Sequence, residues 1–332
     1  MTRSTAEGVE GLIGALLAGD ARSLARAMTL VENEAPEAEA LLDGVYGRRE
    51  APPRVGVTGP PGAGKSTLVS EYALHQRRSG LRIGIVAVDP TSPFTGGAIL
   101  GDRVRMTDLT TDPEVFIRSM ATRGSLGGLA ARTEELCELI GAWGSALTLI
   151  ETVGVGQSEL DVAEAADTTL VVLTPESGDA IQGLKAGLME IADILVINKA
   201  DHPGVDQLEG ALRSTLALRP EGAWRPPIVR TVATERTGID ALHDAILMHR
   251  AHVCDPGRRE AKRREKAHAR LRTAVREGVL STWWRRRGLD ELVDRAAEEV
   301  LGGRVSPYRA ARELIERMED HGKRRTDPNP RP

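Results

Sequence analysis

The sequence predicts an α/β protein, a doubly wound and mostly parallel sheet with helical extensions at its N- and C-terminal ends. Three observations predict it. Between residues 54 and 250, short β-branched apolar runs alternate with longer stretches at helical spacing. The runs are continuously apolar rather than alternating, the mark of strands buried on both faces of a parallel sheet. The segments between them are long enough for crossover helices.

The elements follow in order. Residues 5–50 read as helical, because Leu12, Leu16 and Leu17, then Leu24, Ala27, Met28 and Val31, recur at helical spacing. Asp20 is placed to cap the second of these helices. Ala51-Pro52-Pro53 closes the region. The expected strands are Val55–Thr58, Ile83–Asp89, Val115–Ser119, Leu147–Glu151, Thr169–Thr174, Ile194–Asn198 and Ile228–Val232. From Cys254 onward the pattern is helical throughout. Leu289, Leu292, Val293 and Ala296 repeat at helical spacing, as do Ala310, Ala311, Leu314 and Ile315. The division expected is a helical extension over 1–50, a central α/β domain over 51–252, and a helical region over 253–332 that ends in a disordered tail.

Composition narrows the function. A net charge of −4 gives no reason to expect a nucleic-acid partner. Cys137 and Cys254 are far apart, which argues against a disulfide scaffold and a Cys-based metal site. No apolar run is long enough to span a bilayer and the N-terminus has no signal core, so the expectation is a cytoplasmic protein without a membrane partner. Eight Lys/Arg and two Glu over 258–272 read as a solvated helix face. Trp283 and Trp284 suit either an interface or the core of the C-terminal region.

Gly59-Pro60-Pro61-Gly62-Ala63-Gly64-Lys65-Ser66, followed by Thr67, fits G-x-x-x-x-G-K-[ST] between a strand and a helix. Glycines let backbone N–H groups turn inward around phosphates, and the helix N-terminus adds partial positive charge. Lys65 would reach the β- and γ-phosphates, and Ser66 would offer its hydroxyl to Mg²⁺. Asn198-Lys199-Ala200-Asp201, after a late strand, selects the base. A carboxylate at Asp201 accepts from guanine N1–H and the 2-amino group, whereas adenine would leave it unpaired. Asn198 is assigned the other base edge and the Lys199 stem the ring face. Val232 and Ala233 occupy the place of a second base contact. His202 reads as a loop residue after the base motif.

Asp89 and Glu151 end strands, and Asp102 lies in a Gly-rich loop, so with Ser66 they form the expected oxygen ligands of Mg²⁺, direct or through water. Gly154-Val155-Gly156-Gln157 reads as a loop sensing the γ-phosphate, with Gln157 placed to position water or simply exposed. Arg103 and Arg105 would neutralise transition-state charge or stand solvated.

Together these stretches resemble the MeaB/ArgK/MMAA family, GTPase chaperones of adenosylcobalamin-dependent acyl-CoA mutases. The resemblance rests on Leu24-Ala25-Arg26-Ala27 and Thr29-Leu30-Val31-Glu32, GPPGAGKST at 59–67, VDPTSPFTGGAILGDRVRM at 88–106, FIRSMATRGSLGG at 116–128, ETVGVGQSE at 151–159, GDAIQGLKAG at 178–187 and NKAD at 198–201. It implies GTP/GDP and Mg²⁺ as ligands, with Lys65 and Ser66 on phosphate and metal, and Asp89, Asp102 and Glu151 as the metal and switch shell. It further implies a third switch over 178–185 in which Lys185 responds to the mutase, a homodimer formed with the C-terminal helices, and gating of cofactor delivery. Pro175-Glu176-Ser177-Gly178 departs from the family's Pro-Gly-Ala-Gly, and Thr231-Val232-Ala233 from its Ser-Ala form. Two other functions share such a core. A nickel-type metallochaperone GTPase wants a His- or Cys-rich site, which the seven scattered His do not make. A P-loop kinase usually needs an adenine site, against which the NKAD element stands.

Overall fold

The computed structural model describes residues 3–89, 107–121, 128–152, 158–176, 187–220, 223–253, 289–302 and 304–323, with 264, 268, 271–272 and 275–276. The chain forms two compact units, Met1–Arg259 and Glu260–Pro332.

The first unit is built on a seven-stranded sheet of β1 (Arg54–Thr58), β2 (Ile83–Asp89), β3 (Val115–Ala121), β4 (Leu147–Thr152), β5 (Thr168–Leu173), β6 (Ile194–Ile197) and β7 (Ile228–Arg230), in the order β3-β2-β4-β1-β5-β6-β7. Every pairing is parallel. All residues of β1, β4, β5 and β6 are buried, as continuous apolar runs predict. β7 is shorter than expected. It is an edge strand, and beyond Arg230 the chain turns back so that Val232 pairs with Thr237 in an isolated antiparallel bridge.

The helices of this unit are α1 (Arg3–Leu17), α2 (Ala21–Glu32), α3 (Ala38–Val45), α4 (Lys65–Arg78), α5 (Thr107–Thr110), α6 (Gly128–Trp143), α7 (Ser158–Ala165), α8 (Leu188–Ile191), α9 (Val205–Leu216) and α10 (Ile239–Val253). Alternate strand residues feed opposite faces of the sheet. Val55, Val57, Ile83, Ile85, Leu149 and Val172 pack with Leu68, Val69 and Tyr72 of α4 and Leu242 and Ile246 of α10. On the other face Val86, Val88 and Ile150 pack with α6 and with Leu16, Leu24, Met28 and Leu41 of the N-terminal helices. Each such large side chain fully removed from water stabilises the fold by about 1.5–3 kcal/mol before entropy is counted.

Polar contacts fix the N-terminal helices on this face. Asp20 caps α2 as expected, accepting from Ser23 N at 2.7 Å and so satisfying one of the helix's free N–H groups. Trp143 Nε1 donates to Gly19 O at 2.9 Å, and the Arg82 guanidinium lies 4.5 Å from the Trp143 ring centroid. Glu32 of α2 forms an ion pair with Arg118 of β3, whose guanidinium also donates to Thr29 Oγ1 at 3.3 Å. Two of the sequence stretches that carry the family resemblance therefore meet.

In the second unit α11 (Leu289–Leu301) packs on α12 (Pro307–Lys323). Pro307 occupies the first helical position, where a missing N–H costs nothing, and Ser306 Oγ accepts from Arg309 N at 3.3 Å. Val293, Leu301, Tyr308 and Ile315 are exposed. Trp283, Trp284 and Cys254 lie outside the described residues. No helix among the described residues is long and apolar enough to cross a membrane.

Candidate active site

β1 lies between β4 and β5, where the sheet's connections change direction, so a crevice opens beyond its C-terminal end. The glycine-rich turn leaves β1 there and enters α4 through Gly64, the N-cap, with φ of 84° and no side-chain cap. A cap without a side chain leaves the first-turn N–H groups to an anion, as at phosphate sites. Gly59, at φ 138°, cannot carry a side chain, because a Cβ there would stand 2.1 Å from Val172 O of β5.

Lys65 is buried, and its Nζ donates to Gly59 O at 2.8 Å and Pro60 O at 2.9 Å. The ammonium is held inside the arc of the loop by the loop's own carbonyls. Ser66 Oγ donates to Glu151 Oε1 at 2.5 Å, joining the start of α4 to the end of β4. The hydroxyl proton thus points at the carboxylate, and the oxygen's lone pairs remain for a cation. Two buried oxygen donors in contact suit a hard ion such as Mg²⁺, which fills its remaining positions with waters and phosphate oxygens. Among the described residues no group of three or more His, Cys, Asp or Glu is arranged to hold a metal.

Other expected residues fall as follows. Thr67 is half-buried in the first turn of α4. The backbone of Asp89 ends β2 beside Ala121 of β3, at the same edge of the sheet as Glu151. Asp102, Arg103, Arg105, Gln157 and Lys185, with the loops that carry them, lie outside the described residues.

The base motif follows β6. Asn198 N continues the sheet by donating to Leu173 O at 2.8 Å, and Lys199 then turns the chain with φ of 55°. The Asn198 amide is buried. Its Nδ2 donates to Ala63 O of the phosphate loop at 2.9 Å. Its Oδ1 accepts from Thr231 Oγ1 at 3.0 Å and Ala233 N at 3.2 Å. Asn198 therefore ties the phosphate loop to the segment after β7, and only the second Nδ2 hydrogen is left for a base edge. Asp201 stands half-exposed after this turn. Lys199 Nζ lies 3.3 Å from Glu176 Oε2, so its ammonium end is anchored while its stem remains available to a ring face. Val232 and Ala233 stand beside Asn198 through the contacts already given.

The structure adds residues that sequence reasoning did not single out. Thr152 Oγ1 donates to Thr58 Oγ1 at 3.2 Å, fastening the ends of β4 and β1 beneath the loop. Glu159 opens α7 within reach of the Lys65 charge. Burial pushes its carboxyl pKa up and Lys65 works against that shift. Its one signal in the sequence was its place at the end of ETVGVGQSE. Glu176, whose contacts with His202 first and Lys199 second hold its carboxyl below the usual range, was marked only as a departure from a family pattern.

Known proteins are similar to this chain. The family model described as methylmalonyl Co-A mutase-associated GTPase MeaB matches residues 24–287. A putative GTPase of Pyrococcus abyssi is 44% identical over 317 residues, covering 93% of this chain and 97% of that protein. The mitochondrial methylmalonic aciduria type A homolog of Mus musculus is 35% identical over 326 residues, covering 92% of this chain and 79% of that one. A crystal structure reported as a LAO/AO transport system kinase superposes with a TM-score of 0.69 at 30% identity, covering 96% of this chain and 99% of the other. The chain is a GTPase of the MeaB family, with the guanine-nucleotide binding that membership entails.

Proposed function

We propose that this GTPase serves as the chaperone of an adenosylcobalamin-dependent acyl-CoA mutase, gating cofactor loading and protecting the mutase. The observation that carries the reading is the match over residues 24–287 to a family described by its association with methylmalonyl-CoA mutase. A chaperone gains nothing from futile hydrolysis, so the reading is of a switch rather than a rapid catalyst. Phosphoryl transfer to water needs alignment and charge stabilisation more than covalent chemistry. Lys65 would exchange its loop carbonyls for β- and γ-phosphate oxygens. Ser66, Glu151, Asp89 and Asp102 would hold Mg²⁺ directly or through water, and the ion would neutralise charge developing on the phosphates. Asp201 would select guanine, with the Lys199 stem over the ring and Val232 and Ala233 close by. Gln157 and Arg105 would align water and stabilise charge, and Lys185 would answer to the partner. The reading includes a homodimer formed with the helices of 253–332, and a central GTPase domain over 51–252.

The test is steady-state GTP hydrolysis alone and with candidate acyl-CoA mutases, with ATP as the control. Slow GTP turnover stimulated severalfold by one mutase is the expected result. GTP turnover indifferent to every mutase would discard the chaperone role.

A further inference from the structure

We infer that Glu176 is a positioning residue for guanine recognition, acting through His202 on Asp201 and through its second oxygen on Lys199. The inference rests on the reading that Asp201 selects the base. Glu176 follows the end of β5 by three residues, and its two carboxylate oxygens engage two different residues of the turn after β6. Oε1 accepts from His202 Nδ1 at 2.8 Å, and Oε2 accepts from Lys199 Nζ at 3.3 Å. The other ring nitrogen of His202 faces Asp201, with Nε2 3.7 Å from Oδ2. One imidazole thus lies between the two carboxylates, hydrogen-bonded to the anchoring Glu176 and adjacent to Asp201 without a hydrogen bond to it.

The turn needs such an anchor. Lys199 sits at φ 55°, a backbone conformation that a lysine adopts only when its surroundings hold it there. Asp201 is half-exposed. Its bonds to a base are worth most if the carboxylate already stands where N1–H and the 2-amino group arrive. Glu176 lies on a different strand's exit from the turn that it holds, so it fixes the turn against the sheet rather than against itself. The side chain is 57% exposed, so its bonds add little to folding. A substitution therefore perturbs the turn without unfolding the protein.

The experiment measures GDP and IDP affinity of the full chain for wild type, Glu176→Ala, Glu176→Gln, His202→Ala and the double variant Glu176→Ala/His202→Ala. Asp201→Asn, assayed with GDP and XDP, is the reference. IDP lacks the 2-amino group, so the GDP/IDP ratio reports how well Asp201 meets it. Glu176→Ala is expected to weaken GDP about threefold to fivefold, the scale of partly exposed charged contacts, and to weaken IDP less. The loss should appear in KM for GTP more than in kcat, and Glu176→Gln should recover part of it. The double variant should discriminate GDP from IDP no worse than Glu176→Ala alone, because that single variant already loses both the His202 and the Lys199 contacts. Unchanged GDP/IDP ratios in Glu176→Ala and His202→Ala, with Asp201→Asn moving preference to XDP, would overturn the role of Glu176 alone. An Asp201→Asn variant that still prefers GDP would overturn the base assignment and this inference with it.

Discussion

Replacing Asn198 by Ala tests whether one buried amide holds the phosphate end and the base end of the site together. The deletion removes three hydrogen bonds, to Ala63 O, Thr231 Oγ1 and Ala233 N. The Thr231 hydroxyl can rotate toward another acceptor, but the two backbone groups cannot move without moving their loops. Ala63 and Ala233 are both buried. Each buried backbone group left unsatisfied costs about 1–3 kcal/mol, so the expected destabilisation is about 2–6 kcal/mol. For a domain of this size 1 kcal/mol lowers Tm by about 2–4 °C, which predicts a fall of about 4–24 °C. GDP affinity should fall together with stability, because Ala63 belongs to the loop proposed to receive the phosphates. The assays are thermal and urea unfolding of the nucleotide-free protein and equilibrium GDP binding. Thr231→Val, which keeps shape and removes one bond, should cost only about 1 kcal/mol. An Asn198→Ala variant within 1 kcal/mol of wild type and with wild-type GDP affinity would refute the argument that this amide holds the loops.

The remaining predictions concern the phosphate loop and one histidine. Lys65→Ala should lower GTP turnover by at least about a hundredfold, the scale of losing a donor to transition-state charge; wild-type turnover would overturn the phosphate-loop assignment. Gly59→Ala should destabilise by about 3 kcal/mol or more, because its Cβ would meet the Val172 carbonyl at 2.1 Å in a backbone conformation that disfavours any side chain; an unchanged Tm would refute it. His243, which meets Tyr72 Oη and Gln76 Nε2 through Nδ1, has its pKa lowered from 6.5 by burial first and by His75 second. The unfolded chain therefore takes up this proton before the folded one, so the contribution is complete above pH 6.5 and is lost as pH falls from there through the folded value. The urea midpoint should drop between pH 7.5 and 5.5, and His243→Gln should drop less over the same interval; equal slopes would rule this contribution out.

Much of the fold was legible because burial on both faces leaves a local trace. The runs at Val55, Ile83, Leu147, Thr169 and Ile194 are too apolar for any position but a central strand, and each lies within a residue or two of its observed bounds. Ile228 was legible as a strand start but not as a short one, since its end depends on the Val232–Thr237 bridge. Lys65, Ser66 and Glu151 were each nameable from local context. The bond between Ser66 and Glu151 was not, because it joins residues 85 apart in the chain. Asn198 shows the limit most plainly. Its residue type marked a base motif, but its partners Ala63 and Ala233 act through backbone atoms, which every residue carries and no sequence distinguishes. Likewise Thr29 and Glu32 stood out as a stretch, with no means of seeing that Arg118 is what they hold.

These contacts divide the site along the sheet. From β1 toward β7, side-chain bonds join the phosphate loop to Asn198 and Asn198 to Ala233, and Lys199, next in the chain, is bonded to Glu176. Preorganisation of this kind lowers the ordering cost of binding and makes base and phosphate recognition one cooperative unit. On the other side, Asp89 ends β2 and Glu151 lies at the end of β4, and the chain beyond each leads directly to the other expected members of the metal shell and its loops. Ser66 links the halves beside the Thr58–Thr152 contact, since it sits on the phosphate loop's helix and donates to Glu151. A γ-phosphate and its metal would act on that bond first. A hydrolysis signal would therefore enter the β2–β4 half through Ser66 and Glu151, while the β5–β7 half keeps its hold on the base.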